Sequence, residues 1–243
     1  MKLGIYYTLG DLGLLNSINI FQSLLETKVD LLEIGLPFSD PLLDGDVVQQ
    51  SHMRAMQHNI SWQELCEAIN KLKLSCNATQ KISVMTTTQL LYTEKNRKEF
   101  PTVDGLLFSD LNYKKKYPHP MPTPRVWFLS PDLVLNSKNL IPPENISMIY
   151  LTRIQGITGD NQKINKVTEQ AIKILKNNFN QDIWLGFGIS NKQDIQEAKE
   201  IGVDGVVIGS AFIRYIQKNF QQHNFSKEMI NAIIFDFIKE IKI

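Results

Sequence analysis

Eight short runs of apolar, strand-forming residues recur along this chain with helix-patterned stretches between them, and that beat restricts the fold more than any other feature. The runs are LGIYYT (3–8), DLLEI (30–34), ISVMTT (82–87), VDGLLFS (103–109), RVWFL (125–129), SMIYLT (147–152), DIWLGF (182–187) and DGVVIG (204–209). They are continuous rather than alternating, as parallel strands covered by helices on their outer faces require. Between them, Asn16 to Leu25 puts Ile18, Phe21, Leu24 and Leu25 on one helical face. Ser61, with Glu64 three residues on, reads as a capping box opening WQELCEAINKL. VTEQAIKILKNNF and NKQDIQEAKEIG are equally periodic. A doubly wound sheet is the competing arrangement. Eight parallel strands alternating with helices within 243 residues fit a single (β/α)8 barrel, the TIM-barrel fold, more naturally. No linker or repeat divides the chain, so one domain is expected over residues 1–243.

One segment interrupts the rhythm. YPHPMPTPR (117–125) carries a proline at every second position, which forbids a helix there. The crossover between the fourth and fifth strands is therefore expected as a turn at LNYKKK plus an extended segment, with Lys114 to Lys116 a solvated face.

Charge and cysteines exclude several function classes. Twenty-six basic residues face 25 acidic ones, a net charge of +1 that predicts no broad nucleic-acid footprint. Cys66 and Cys76, the two cysteines, have no metal-ligand spacing and suggest a reducing compartment, hence the cytoplasm. No apolar run is long enough to span a bilayer, and MKLGIYYTLG lacks the apolar core of a secretory signal.

Glycine-containing segments follow the last three strands: GITGD (156–160), GFGIS (186–190) and IGSAF (208–212). In barrels of this kind the loops after strands seven and eight commonly hold a phosphate. Glycine lets backbone N–H groups approach the anion, and a helix N-terminus adds a positive dipole end. Gly188, Gly209 and Ser210 stand at those places, before a helix expected from Ala211 to Lys218. Turn or C-cap glycines are the bland alternative.

Two carboxylates draw attention in DLLEIGLPFSDPLLDGDVVQQ (30–50). Glu33 lies near the C-terminal end of strand two, in phase with Leu31, where barrel chemistry sits. Burial there would raise its pKa and suit it to proton transfer. The competing reading is a structural ion pair. Asp44 is the second candidate, on a proline-stiffened loop that could fold over the same mouth; its alternative is a turn aspartate before Gly45.

The segment LLEIGLPFSDPLLDGDVVQQSHMRAM resembles the signature of the tryptophan synthase alpha subunit family, with Glu33 and Asp44 at the family's two catalytic carboxylates. TLGD (8–11), VDGLLFSDL (103–111), GITG (156–159), GFGIS (186–190) and GSAF (209–212) match in order, so the likeness covers nearly the whole chain. It implies a lyase that cleaves indole-3-glycerol phosphate to indole and glyceraldehyde 3-phosphate, without metal or organic cofactor. Glu33 would handle the proton and Asp44 would face charge on the indole nitrogen. Tyr150, Thr158, Leu107 and Ser109 would contact the substrate, and Gly159, Phe187, Gly188, Gly209 and Ser210 would cradle its phosphate. Pro37, Asp40, Pro41 and Gln89 would meet a beta subunit in an alpha2beta2 heterotetramer, and the pyridoxal phosphate would belong to that partner.

The chain also departs from the family pattern. It opens at the first strand without the usual floor helix, and its fourth crossover is shortened. TTTQ (86–89) stands where the family commonly has Met-Tyr-Ala-Asn, TRIQGITG (152–159) differs after strand six, and Asp46 replaces a usual proline. These departures support a rival function, a regulatory subunit that activates its beta partner while cleaving poorly. A different phosphate-binding isomerase barrel is a third reading.

Overall fold

The computed structural model describes residues 1–38, 45–110, 123–152, 166–220 and 225–241. Eight parallel strands close into a barrel in sequence order. They are β1 (Lys2–Thr8), β2 (Leu31–Gly35), β3 (Lys81–Thr86), β4 (Gly105–Phe108), β5 (Arg125–Leu129), β6 (Ile146–Thr152), β7 (Ile183–Gly186) and β8 (Gly205–Ile208). Each coincides with one of the eight runs, within two residues at either end. Closure is made by β1 pairing with β8, Leu3 opposite Val206 and Ile5 opposite Ile208.

The helices expected from periodicity are present: α1 (Leu14–Leu25), α3 (Trp62–Ser75), α6 (Lys166–Asn178), α7 (Lys192–Glu200) and α8 (Ser210–Asn219). Ile18, Phe21, Leu24 and Leu25 are buried as the pattern of α1 required. Both halves of the capping box form at Ser61 and Glu64. Four helices escaped the sequence reading: α2 (Asp46–Met56), α4 (Glu94–Glu99), α5 (Pro131–Asn136) and α9 (Lys227–Ile241). Asp46, the residue that replaces the family's usual proline, begins α2. A carboxylate in the first helical turn suits the positive end of the helix dipole. The fourth crossover falls mainly in residues 111–122; these, with the lysines at 114–116, lie outside the described residues.

Helices and barrel interlock through aromatic rings. Tyr7 of β1 points outward, its ring edge-on to Phe21 of α1 at 5.9 Å and to Phe212 of α8 at 5.7 Å. Phe237 of α9 then packs on Phe212 at 5.0 Å and Tyr215 at 4.9 Å. Edge-on packing of this kind adds about 1 kcal/mol per pair beyond burial. Inside the barrel, Trp184 crosses Gly205, where a Cβ would stand 2.5 Å from its Cε3. That ring fills the interior below Gly186 and leaves the C-terminal end of the strands open.

Candidate active site

Glu33 is 3% exposed. In register it lies between Tyr6 of β1 and Ser83 of β3. It lines a cleft at the C-terminal ends of the strands. About 610 Å³ of open space, the part that meets solvent included, lies in this cleft. The glutamate reaches the cleft because strand side chains alternate in direction: Leu32 and Ile34 turn outward to the helices, while Glu33 turns inward.

Around that carboxylate the wall is apolar. Met85 follows on β3, Leu107 on β4 and Phe128 on β5, and Tyr150 of β6 faces it from across the barrel. Tyr150, Phe128 and Phe187 form one aromatic cluster: Tyr150 is perpendicular to Phe187 at 6.1 Å, and Phe128 lies 5.8 Å from Tyr150. Ser109 adds a hydroxyl at the rim; its N–H and Oγ both donate to the Thr86 carbonyl, at 2.9 and 3.3 Å. A flat aromatic ligand would fit this side.

The opposite side is formed by the turn after β7 and the start of α8. Phe187 and Gly188 both take left-handed backbone, φ 66° and 77°, and so turn the chain sharply off β7 into the cleft. Gly209 is the N-cap residue of α8, with no side-chain cap and no acidic residue in the first turn. The first amides of α8, with no cap from the Gly209 side, set N–H groups and a positive dipole end beside Ser210. The neighbouring helix contrasts with it: Asp194 of α7 accepts from the N–H and Oγ of Ser190 at 2.8 Å each, closing its own N-terminus. No lysine or arginine is among the described residues that line the cleft, so backbone donors would carry the recognition.

Glu33, Leu107, Ser109, Tyr150, Phe187, Gly188, Gly209 and Ser210, each expected from sequence, thus converge on one cleft. Gln89 is exposed in the turn after β3, and Pro37 is half-buried just past β2. Asp40, Pro41, Asp44, Thr158 and Gly159 lie outside the described residues. Among the described residues no cluster of His, Cys, Asp or Glu could hold a metal, and no helix is long and apolar enough to cross a membrane.

Sequence reasoning missed several lining residues: Tyr6, Val48, Met85, Phe128, Ile189 and Val207. The alternation Gly4, Tyr6, Thr8 in β1 was the available signal, since period two puts Tyr6 on the face of Glu33. Phe128 and Met85 carry no such mark. Phe128 lies in a strand of large apolar residues, and Met85 shares its face only with Ser83 and Lys81, so the closed barrel is what sets both residues inside.

Comparison with known proteins agrees with this geometry. The family model described as tryptophan synthase alpha chain matches residues 2–236. The tryptophan synthase alpha chain of Buchnera aphidicola subsp. Baizongia pistaciae is 30% identical, over 96% of this chain and 90% of that one. The Helicobacter pylori (strain HPAG1) protein of the same name is 29% identical, over 94% and 90%. Among solved structures, a mutant tryptophan synthase alpha-subunit from the hyperthermophile Pyrococcus furiosus superposes with a TM-score of 0.76 at 22% identity, covering 99% of this chain and 97% of that one. The tryptophan synthase complex from Pyrococcus furiosus gives 0.75 at 22%, with the same coverage. Matched along almost its whole length by that family model, this chain belongs to the tryptophan synthase alpha chain family, lyases of tryptophan biosynthesis.

Proposed function

We propose that the chain cleaves indole-3-glycerol phosphate to indole and glyceraldehyde 3-phosphate, and that Glu33 carries the proton. The observation that supports this most is a buried carboxylate in a cleft with an apolar aromatic wall on one side and the Gly188 turn and start of α8 on the other. Indole would lie against Leu107, Met85 and Phe128, and the phosphate would rest on Gly188, Gly209 and Ser210. The bond between indole C3 and the first side-chain carbon would then sit before Glu33.

The retro-aldol balances through this one group. The protonated carboxyl of Glu33 gives its proton to indole C3, leaving positive charge shared with the ring nitrogen. Glu33, now a carboxylate, takes the proton of the side-chain hydroxyl. As that carbon becomes an aldehyde, the C–C bond breaks and its electron pair restores the aromatic ring. General acid–base transfer by a positioned group contributes about 10²- to 10⁴-fold. Asp44 would stabilise the charged ring nitrogen, and Thr158 would meet Asp44 on loop closure, which excludes water. Gly159 would join the phosphate cradle. No metal or organic cofactor is needed for these steps.

We extend the reading to a beta subunit that carries the pyridoxal phosphate and receives the indole, in an alpha2beta2 assembly in the cytoplasm. Pro37, Asp40, Pro41 and Gln89 would meet it; Pro37 and Gln89 stand at the mouth side of their strands. The solved complex from Pyrococcus furiosus supports such a partner. The test is release of glyceraldehyde 3-phosphate with and without the cognate beta subunit, for wild type and Glu33→Gln. Turnover that rises with the partner and collapses in the variant is expected. Absent turnover with beta activity still stimulated would make the chain a regulatory subunit instead.

A further inference from the structure

A buried hydroxyl beside Glu33 takes no part in the cleavage steps. Ser83 of β3 is 2% exposed, and its Oγ has no hydrogen-bond partner among the described residues. It is the register partner of Glu33, and neighbouring strands lie about 4.8 Å apart, so the two side chains leave the sheet side by side. The serine turns into the barrel, since Met85, two residues on, lines the cleft. On its other flank is Gly105 of β4, where a Cβ would stand 3.3 Å from Ser83 Oγ. Glycine there leaves the hydroxyl room and offers it no polar side chain. Ser147 Oγ lies 3.1 Å from the same point and donates to the Arg125 carbonyl at 3.3 Å.

A buried hydroxyl without a partner bears the full cost of leaving water, and most buried polar side chains avoid it. The carboxyl of Glu33 is the acceptor next to it in the same layer. A serine has one side-chain torsion, and a single rotamer step carries Oγ from the β4 flank to the β2 flank. Such a donor treats the two forms of Glu33 unequally, because a hydrogen bond to a carboxylate is roughly twice as strong as one between neutral groups. Few other charges bear on the site. Tyr6 flanks Glu33 on β1, its hydroxyl 3.1 Å from Nε2 of His52, whose ring burial keeps neutral near pH 7 with a pKa of about 4. Tyr150 faces Glu33 from β6, and no lysine or arginine is among the described residues that line the cleft. Lys81, on the same face of β3 as Ser83, is exposed at the far end of the barrel.

We propose that Ser83 is a positioning residue for Glu33: its hydroxyl turns to donate a hydrogen bond to the carboxylate that remains once Glu33 has given its proton to the ring. The identity of that ring rests on the cleavage reading above. The serine keeps its own proton throughout. The O–H bond of Glu33 breaks, the C–H bond at the ring forms, and the Ser83 hydroxyl swings toward the new charge. Because its bond strengthens as the charge appears, it lowers the barrier to that step and leaves substrate binding unchanged. A hydroxyl that only fills space would affect neither the charge on Glu33 nor the rate.

The experiment follows Glu33 directly. In full-length protein labelled with carbon-13 at the glutamate carboxyls, the Glu33 signal is assigned by its loss in Glu33→Gln and titrated without substrate. Ser83→Ala is expected to raise its midpoint by about one pH unit, the size of one hydrogen bond to a charged acceptor. Release of glyceraldehyde 3-phosphate with the beta subunit present should fall about ten-fold in kcat, with KM within two-fold. Ser83→Cys, a weaker donor of similar size, should fall between the two. In the Glu33→Gln background, calorimetry should give affinities for indole-3-glycerol phosphate that agree within two-fold with and without Ser83→Ala. Thermal midpoints identify misfolding, and Ser83→Cys then decides the question by the same shift. An unchanged titration midpoint or kcat, a loss carried by KM, or weaker binding in the Glu33→Gln background would overturn the proposal. If the midpoint moves while wild type releases no glyceraldehyde 3-phosphate, the cleavage reading falls and the pairing of Ser83 with Glu33 stands.

Discussion

The Tyr150 side chain on β6 occupies the space that a side chain on Gly186 of β7 would need: a Cβ there would stand 2.5 Å from Cε1 of the ring and overlap its hydroxyl. Tyr6 uses Gly35 of β2 in the same manner, so two tyrosines on opposite sides of the cleft each lean over a glycine on the following strand. Gly186→Ala is expected to destabilise the fold by about 1–3 kcal/mol, since Tyr150 is also held by Phe128 and Phe187 and cannot swing away. Urea unfolding measures the loss. Replacing Tyr150 by Val in the same protein should cost less than the two single losses added together.

The left-handed turn at Gly188 carries a second prediction. At φ 77° any Cβ is strained by roughly 1–2 kcal/mol, and the loop would relax away from the cleft. Gly188→Ala should raise KM for the phosphate ester about ten-fold with a smaller effect on kcat, the conversion of that strain into affinity. Inhibition by inorganic phosphate should weaken in parallel. An unchanged phosphate constant would place the anion elsewhere.

Arg54 of α2 donates to both oxygens of Asp11, from Nε at 2.7 Å and Nη2 at 2.8 Å, and so ties α2 to the turn after β1. The Asp11 side chain is 1% exposed, so removing its partner strands a buried carboxylate. Arg54→Leu should cost about 3 kcal/mol in equilibrium unfolding. Asp11→Asn/Arg54→Leu should recover part of that loss, because the orphaned charge goes too.

His52 gives stability a defined pH dependence. Its pKa is about 4 in the fold against an ordinary 6.5, through burial. Between those values the unfolded chain binds a proton that the folded chain does not, so stability must fall as pH drops through that window and be fully present above it. The whole effect is about 3 kcal/mol, and roughly 2 kcal/mol of it should be gone at pH 5. Urea midpoints at pH 7.5 and pH 5 should separate by that much more in wild type than in His52→Asn. Equal separations would mean that His52 titrates normally.

Much of the site was readable before any fold was known, because its residues break local rules in ways a sequence displays. A glutamate among apolar strand residues and glycines clustered after the last strands are visible oddities, and the fold brings them to one cleft. Tyr6 and His52 display nothing of the kind. A tyrosine in a strand and a histidine in a helix are ordinary, and 46 positions separate the two partners of their bond. Helix α2 was hidden for a similar reason: DVVQQSHMRAM mixes polar and apolar residues so evenly that its buried set, Val48, Ser51, His52 and Ala55, is half polar. Those positions are buried because β1 supplies hydroxyls to meet them.

Local pattern along the chain carries the architecture and the residue types that the proposed chemistry would use. Strand-length apolar runs alternating with helices leave few ways to bury both faces of a parallel sheet, and chemistry is carried by residue type. The tertiary structure decided what each group faces. Closing the barrel turned Leu107, Met85 and Phe128 into an inner wall, set Tyr6 between Gly209 and Glu33, and gave His52 its buried setting. The reason is physical: local propensity and periodicity act over a few residues, whereas burial and hydrogen-bond partners at the mouth of a barrel are set by strands and helices far apart in sequence.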